Sequence, residues 1–449
     1  GRDFRGQGKG GDVFGSVVYP SLGGGGSSYT NASTFGGGVA VLRAPEVVLD
    51  GEVLSRESHL AFPGDFPRGA GGSVWIEADV LRGVGRIDAS GWTGGDSSFS
   101  KPGGGGRVAL HVGQFLGFDP DGQVNAAGGW NSAVSAGAGT IFVREGGPTY
   151  GRLILDGGRI GVPTAAILPT PLPLLGAGAV GSISVSGDET LIVPSTGSFS
   201  INWPGAWMVL LDGSGASLGS FEVLRVDPQG RAVLRGLAPV VGVVGYRGEH
   251  RFARVDVRNG AGWAPSSEVR VTALSVAGAT AMQGKVEAGT LSLAANASIL
   301  LPSPLSRLDI VAQTVTVPAG ARIDVSARGY GDRAAPDGVS TPTIGSGGSH
   351  GGSGASDGRN GAIYVGTPGE VFDSPLVAAW AGGGGASVNA GSVRGGGILT
   401  LVAQNLLLDG QLLSRSASTG TGAYAGAGGS IRVQSETISG SGLIDASAP

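Results

Sequence analysis

GGGVAVLRAPEVVLDGEVLSRES, from Gly36 to Ser58, returns without a gap as GGGILTLVAQNLLLDGQLLSRSA, from Gly395 to Ala417, at an offset of 359 residues. A second stretch, GAGGSVWIEADVLRGVGRIDAS from Gly69 to Ser90, returns as GAGGSIRVQSETISGSGLIDAS from Gly426 to Ser447, offset by 357. Gly11-Asp12-Val13-Phe14 is echoed by Gly369-Glu370-Val371-Phe372. Self-similarity at a fixed long period is the signature of a repeat architecture. The 449 residues therefore read as about one and a quarter units of a tandem array with a period near 358.

A shorter pattern runs inside the long one. EVVLDGEVLS (Glu46 to Ser55), VLRGVGRIDAS (Val80 to Ser90), TLSLAANASI (from Thr290), TVTVPAGARI (from Thr314) and NLLLDGQLLS (from Asn405) share one layout. Each is a short apolar alternation, a small residue or glycine at a bend, then one or two more apolar residues. Successive copies from Ala273 to Thr290 to Thr314 are 17 and 24 residues apart. Alternation with period two is a strand signal. Bend sites such as Asp50-Gly51, Asp156-Gly157 and Asn259-Gly260 carry the residues that tolerate positive φ.

Composition narrows the class. Glycine supplies 89 residues and cysteine none, and the net charge is −4. Without Cys there is no disulfide framework, thiolate metal site or Cys nucleophile. Four scattered histidines leave little for a zinc cluster. No basic field suits nucleic acid, and no apolar run of about 18 residues spans a membrane as a helix. Glycine at this density also argues against helices, at roughly 1 kcal/mol per occurrence.

Short strands at a regular spacing, each closed by a bend, predict an all-β chain: a parallel β-helix, or β-solenoid, with glycine-rich loops. A sandwich needs longer antiparallel strands, and a propeller needs a repeat of about 40 to 50 residues. Neither matches the spacing. The expected rungs hold 17 to 24 residues, with Val41, Ile76, Ile87, Leu293, Ile323 and Leu401 pointing inward. The glycine runs at 23–26, 103–106, 345–355 and 382–385 have two readings. One is flexible excursions; the other is a packed polyproline-II-like layer in which chains approach closely for want of a Cβ.

The pattern breaks after Pro163, where a proline-rich stretch leads into longer strands such as AWMVLLD (Ala206 to Asp212) and FEVLRVD (Phe221 to Asp227). Turns such as Asp227-Pro228-Gln229-Gly230 suggest hairpins. The expected division is residues 1–162 as solenoid, 163–250 as a small inserted antiparallel β-barrel or sandwich, and 251–449 as solenoid again.

The strings GGGGRVAL (Gly103 to Leu110), GAGGS followed by the IDAS ending, and ARIDVSARGYGD (Ala321 to Asp332) resemble the glycine-rich β-helix repeats of very large secreted or surface-anchored bacterial proteins. Val226 to Ala261 resembles a module that recurs in such proteins just before the helix restarts. The resemblance implies extracellular or cell-surface location, large size and an architectural or adhesive role. It implies no catalytic residues.

The residues themselves nominate no catalytic or cofactor-binding group. Asp88, Asp324 and Asp445 occupy one repeated position, as a structural bend residue does. Asp119 and Asp121, in Asp119-Pro120-Asp121-Gly122, are the leading candidates for a calcium turn, with Asp256-Val257-Arg258-Asn259 as a second stretch of that kind. Trp92 and Trp130, beside glycine loops, are the candidate surface-contact aromatics, with burial of a rung end as the structural alternative.

The function this favours is structural: a segment of an extracellular fibre, stalk or filament, with copies of itself, head-to-tail or lateral, as partners. A carbohydrate- or surface-binding adhesin that contacts surface glycans is the alternative, and a polysaccharide-active enzyme the third reading. Neither nucleic acid nor a membrane span enters. The opening at Gly1 and the abrupt Ala448-Pro449 read as a piece of something longer. The repeated segments are expected to share one conformation, with apolar cross-sections or head-to-tail contacts at the ends of the stack.

Overall fold

The structure is a computed structural model. It describes residues 11–29, 32–57, 68–92, 102–131, 135–147, 150–158, 167–266, 268–344, 346–355, 366–374, 376–377, 379–386, 393–417 and 425–448. Among them are twenty-eight strands and a single four-residue helix, Pro120–Gln123, so the chain is all-β with mostly parallel pairing. It divides into two compact units. One comprises Gly1–Arg159, Thr170–Val257 and Pro265–Thr272; the other comprises Ile160–Pro169, Arg258–Ala264 and Ala273–Pro449.

In the first unit the strands Val39–Val48, Ser73–Arg82, Arg107–Leu116 and Thr140–Glu145 pair in parallel, in that order. Val39 stands opposite Ser73, Ser73 opposite Arg107 and Arg107 opposite Thr140, so the interval is 34, 34 and then 33 residues. A ladder of short strands, Glu52–Leu54, Arg86–Asp88 and Val124–Asn125, accompanies the long one. The long ladder skips one residue in each of its first three strands, at Pro45, Asp79 and Gly113. The skip shifts the alternation, so that Val74 and Ile76 before it and Leu81 after it all face one core, with Ile87 of the short strand. These four side chains have no accessible surface.

The expected interval of 17 to 24 residues holds only in the second unit's glycine-poor stretch. There Gly284 pairs with Leu308, 24 residues on, and Ala279 with Ser298, 19 on. Elsewhere glycine-rich segments add ten or more residues between paired strands. Inward placement is as expected for Ile76, Ile87, Leu293, Ile323 and Leu401, all buried. Val41 is a correction: it is 45 % exposed. Its column continues through Trp75, Ala109 and Phe142, on the opposite face of the pleat from Leu42, Ile76 and Leu110. The outer face is apolar too, because residues 14–22 cover part of it, and alternation alone does not rank two apolar faces.

Glycines of the runs at 23–26, 103–106 and 382–385 pack against neighbouring backbone, whereas Gly351 and Gly352 of the run at 345–355 are exposed with open space around them. Gly24 N–H donates to Gly37 O at 2.8 Å, Gly37 N–H to Ala70 O at 2.9 Å and Gly71 N–H to Gly104 O at 2.9 Å. A Cβ on Gly36 would collide with Gly24 O, on Gly71 with Ala89 O, and on Gly103 with Gly69 O. None of these glycines has positive φ, so the missing side chain, not backbone freedom, is what the site requires. Gly71→Ala is therefore expected to cost about 1 to 3 kcal/mol by forcing backbone apart. Gly51→Ala, where a Cβ meets nothing within 4 Å, is the control and stays within about 0.5 kcal/mol in denaturant melts.

From Ala177 to Arg258 the pairing turns antiparallel. Ala177–Ser186, Glu189–Pro194, Ala232–Arg235, Ser217–Val226, Trp207–Leu211 and Gly245–Arg258 pair in that order, and the last pairs back to the first. The ring encloses Ile192, Met208, Leu210, Val223 and Leu234, all fully buried. Phe199, Trp203 and Tyr246 meet edge-to-face or tilted, at centroid distances of 4.9 to 5.8 Å. Gly245–Arg258, fourteen residues long, leaves the ring to lie beside Arg152–Asp156, itself antiparallel to Thr140–Glu145, and Ala253 N–H donates to Gly151 O at 2.8 Å.

In the second unit, Gly284–Leu293, Arg307–Val317, Ile398–Leu408 and Ser430–Ser439 form the long parallel ladder. Gly262–Ala264, Ala279–Met282, Ser298–Leu300, Arg322–Asp324, Gln411–Leu413 and Leu443–Asp445 form the short one. The skipped residue recurs at Gly289, Gln313, Gln404 and Glu436.

Glu57 sits buried at the start of a glycine-rich segment. Burial pushes its carboxyl up to about 7, and the Gly69 N–H and Arg68 offset only part of that. Its pKa is thus raised above the unfolded value. The folded chain then loses stability as pH climbs from about 4.5 to about 7, by up to about 3 kcal/mol. Glu57→Gln is expected to flatten that part of a stability–pH curve.

Candidate assembly edges

The long repeat is written in hydrogen bonds as well as in sequence. Ser55 Oγ donates to Gly38 O at 2.6 Å, and Ser414 Oγ to Gly397 O at 2.8 Å. Ser55 N–H reaches Asp88 O and Ser414 N–H reaches Asp445 O, both at 2.8 Å. Ser73 Oγ donates to Leu22 O at 2.6 Å, and Ser430 Oγ to Trp380 O at 2.9 Å. Asp88, Asp324 and Asp445 each accept the N–H two residues on, from Ser90, Ser326 and Ser447, all at 2.9 Å. The repeated Asp thus closes a turn, as its recurrence suggests.

The two copies differ in what covers them. Ser73–Arg82 lies between two strands, whereas its mate Ser430–Ser439 pairs with Ile398–Leu408 alone among the described residues. Leu81 and Ile87 have no exposed surface, while their mates Ile438 and Ile444 are 58 % and 47 % exposed. The same contrast appears at Val39–Val48, which among the described residues pairs only with Ser73–Arg82: Leu42 is about a third exposed (36 %) where its mate Leu401 is buried. Open strand edges with apolar side chains are templates for further pairing.

A third element repeats the contrast. In the first unit, residues 14–22 form a strap across the outer face of the sheet. Gly15 N–H donates to Asn202 Oδ1 at 2.8 Å, Ser16 Oγ to Pro204 O at 2.5 Å, and His111 Nε2 lies 2.7 Å from Val18 O. Tyr19 stacks on His111 at 4.9 Å, and its hydroxyl donates to Glu222 at 3.3 Å. Burial raises the Tyr19 pKa and lowers that of His111, so both stay neutral near pH 7. The mate of this strap is the segment around Phe372 to Trp380. Ser16 Oγ accepts Val18 N–H at 3.1 Å, and Ser374 Oγ accepts Leu376 N–H at 3.2 Å, so the local turn is the same. Yet Val18 is 4 % exposed and Leu376 is 86 % exposed. Sequence reading stopped this echo at Phe14 and Phe372; the Ser16–Ser374 correspondence beyond them was the available signal.

No protein-family model, curated protein or solved structure matches the chain. Its own second copy is therefore the nearest standard against which these edges are read.

The candidate site residues sit elsewhere. Asp119 caps the short helix by accepting Asp121 N–H at 3.0 Å, and the Asp121 carboxylate takes both terminal nitrogens of Arg152 at 2.7 and 2.9 Å. The two carboxylates are thus occupied with a cap and an ion pair. Trp92 is half-buried with the Arg68 guanidinium 4.0 Å above its ring; Trp130, also half-buried, bridges to Ser135. The structure brings none of these four residues to an open edge.

One polar node lies beside the Phe372–Trp380 segment. His350 Nδ1 is 3.0 Å from Gly428 O, its Nε2 is 3.2 Å from Asp373 Oδ2, and Ser430 Oγ donates to that carboxylate at 3.1 Å. Burial pushes the Asp373 carboxyl up, but N–H donors from Ser374 and Trp380, with His350 and Ser430, outweigh it and hold the pKa below the usual range. The Ser430 hydroxyl is directed to acceptors, so the node reads as a tether for the segment.

Proposed function

We propose that the chain is a structural segment of an extracellular fibre or surface filament, a β-solenoid built from tandem units of about 358 residues. The resemblance to glycine-rich β-helix repeats of large surface proteins points the same way. The observation that carries the reading is the pair of repeat copies with one hydrogen-bond pattern, buried in one copy and open in the other. A long strand that turns at a skipped residue, then a short strand, then a glycine segment returning to the next layer, is one coil of a solenoid. Each coil buries its apolar residues only when another lies on it. Such a sequence spends its residues on length.

The Gly-to-Gly layer supports this reading as well. Close-packed glycine backbones fix each coil's return path without side-chain chemistry, which suits a scaffold.

Chains of one, two and three repeat units, imaged in negative stain, test the proposal. Particle length is expected to rise by a constant increment per unit at constant width. Particles that thicken in step with mass, without lengthening, would sink it.

A further inference from the structure

We infer that the Ser430–Asp445 edge and the Leu376–Val377 surface together seat one partner, a further repeat unit of this sequence, and that the register of its docking is already present in the chain. The inference rests on the fibre reading and specifies its joint. The mates of these elements show what the seat accepts. Ser73 pairs with Arg107, Val80 with Gln114, Leu81 with Phe115 and Ile87 with Val124. By the 357-residue offset, the incoming unit's Arg107 then lies opposite Ser430, its Gln114 opposite Thr437, its Phe115 opposite Ile438 and its Val124 opposite Ile444.

The second half of the seat is independent of the strand edge. Val18 is buried because the antiparallel ring packs on it: a Cβ on Gly205 would strike the Val18 side chain, and Asn202 and Pro204 bond its neighbours Gly15 and Ser16. Leu376 stands in Val18's place with the Ser374 turn already formed, and it is almost fully exposed. The incoming unit's ring, through Asn202 to Gly205, covers it. Strand and ring come from the same incoming unit, so both halves of the seat fill together. Asp373 replaces Gly15 at the joint, and its carboxylate, held by His350, Ser430 and Trp380 N–H, fixes the segment's position before the partner arrives.

The test extends the chain after Ser447 with a further copy of residues 91–272, and follows amide hydrogen exchange. Exchange at Ser430–Ser439 and at Leu376 and Val377 is expected to slow at least about tenfold relative to the 449-residue chain. Leu376→Asp is expected to leave the unextended chain's melting unchanged and to speed exchange at Ile438 in the extended one. Protection of the added Arg107–Leu116 copy without protection of Ser430–Ser439 would overturn the inference, as would an added copy that stays unprotected throughout. Filaments that form while these amides keep exchanging fast would leave the fibre reading standing and remove this joint from it.

Discussion

Ile87→Asp is expected to lower stability by about 4 kcal/mol, while Ile444→Asp, the same change at the repeat mate, costs less than about 1 kcal/mol. Ile87 lies under Val124 with no accessible surface, in a core shared with Ile76, Leu81 and Leu110. A carboxylate there has no partner and displaces about 1.5 to 3 kcal/mol of apolar burial. Ile444 occupies the same turn, one residue before an Asp that makes the same hydrogen bond, yet it is about half exposed. Local sequence and local geometry are matched, so the difference isolates the layer above. Denaturant melts of both variants measure it. Equal losses at the two sites would mean that Ile444 is covered by something else.

Glu222→Ala is expected to cost about 3 to 5 kcal/mol. The carboxylate is nearly buried and joins three elements: Arg144 of the parallel region at 3.2 Å, Arg235 of the antiparallel ring at 3.0 Å, and the Tyr19 hydroxyl of the strap at 3.3 Å. Removing it takes the carboxylate away from Arg144 and Arg235 and the acceptor away from the Tyr19 hydroxyl that ties down the strap. Glu222→Gln keeps the shape but not the charge, and is expected to recover about half of the loss. Thermal melts report it, and amide hydrogen exchange at Tyr19, whose ring lies 5.3 Å from that of Trp75, reads the strap itself. A melting point unchanged by Glu222→Ala would show that the strap and ring hold without this carboxylate.

The long repeat, the all-β class and the bend role of Asp88, Asp324 and Asp445 were legible because each is written at fixed spacing. Val41 was not, although its sequence held the answer. Its mate is Thr400, a polar residue, while Leu42 is matched by Leu401. Comparing the copies position by position separates the faces where alternation within one copy does not. The glycine layer was only half legible: sequence shows where side chains are missing, but not that neighbouring carbonyls fill the space. Trp92 and Asp121 drew attention as isolated residue types, and neither Arg68 nor Arg152 is near its partner in a recognisable pattern. The open edges needed burial values, since Leu81 and Ile438 read alike along the chain.

X-ray diffraction from oriented filaments of multi-unit chains tests the central claim most directly. Stacked coils place strands across the fibre, so a reflection near 4.8 Å is predicted on the meridian, parallel to the filament axis. A 4.8 Å reflection lying on the equator, with strands running along the filament, would contradict the account.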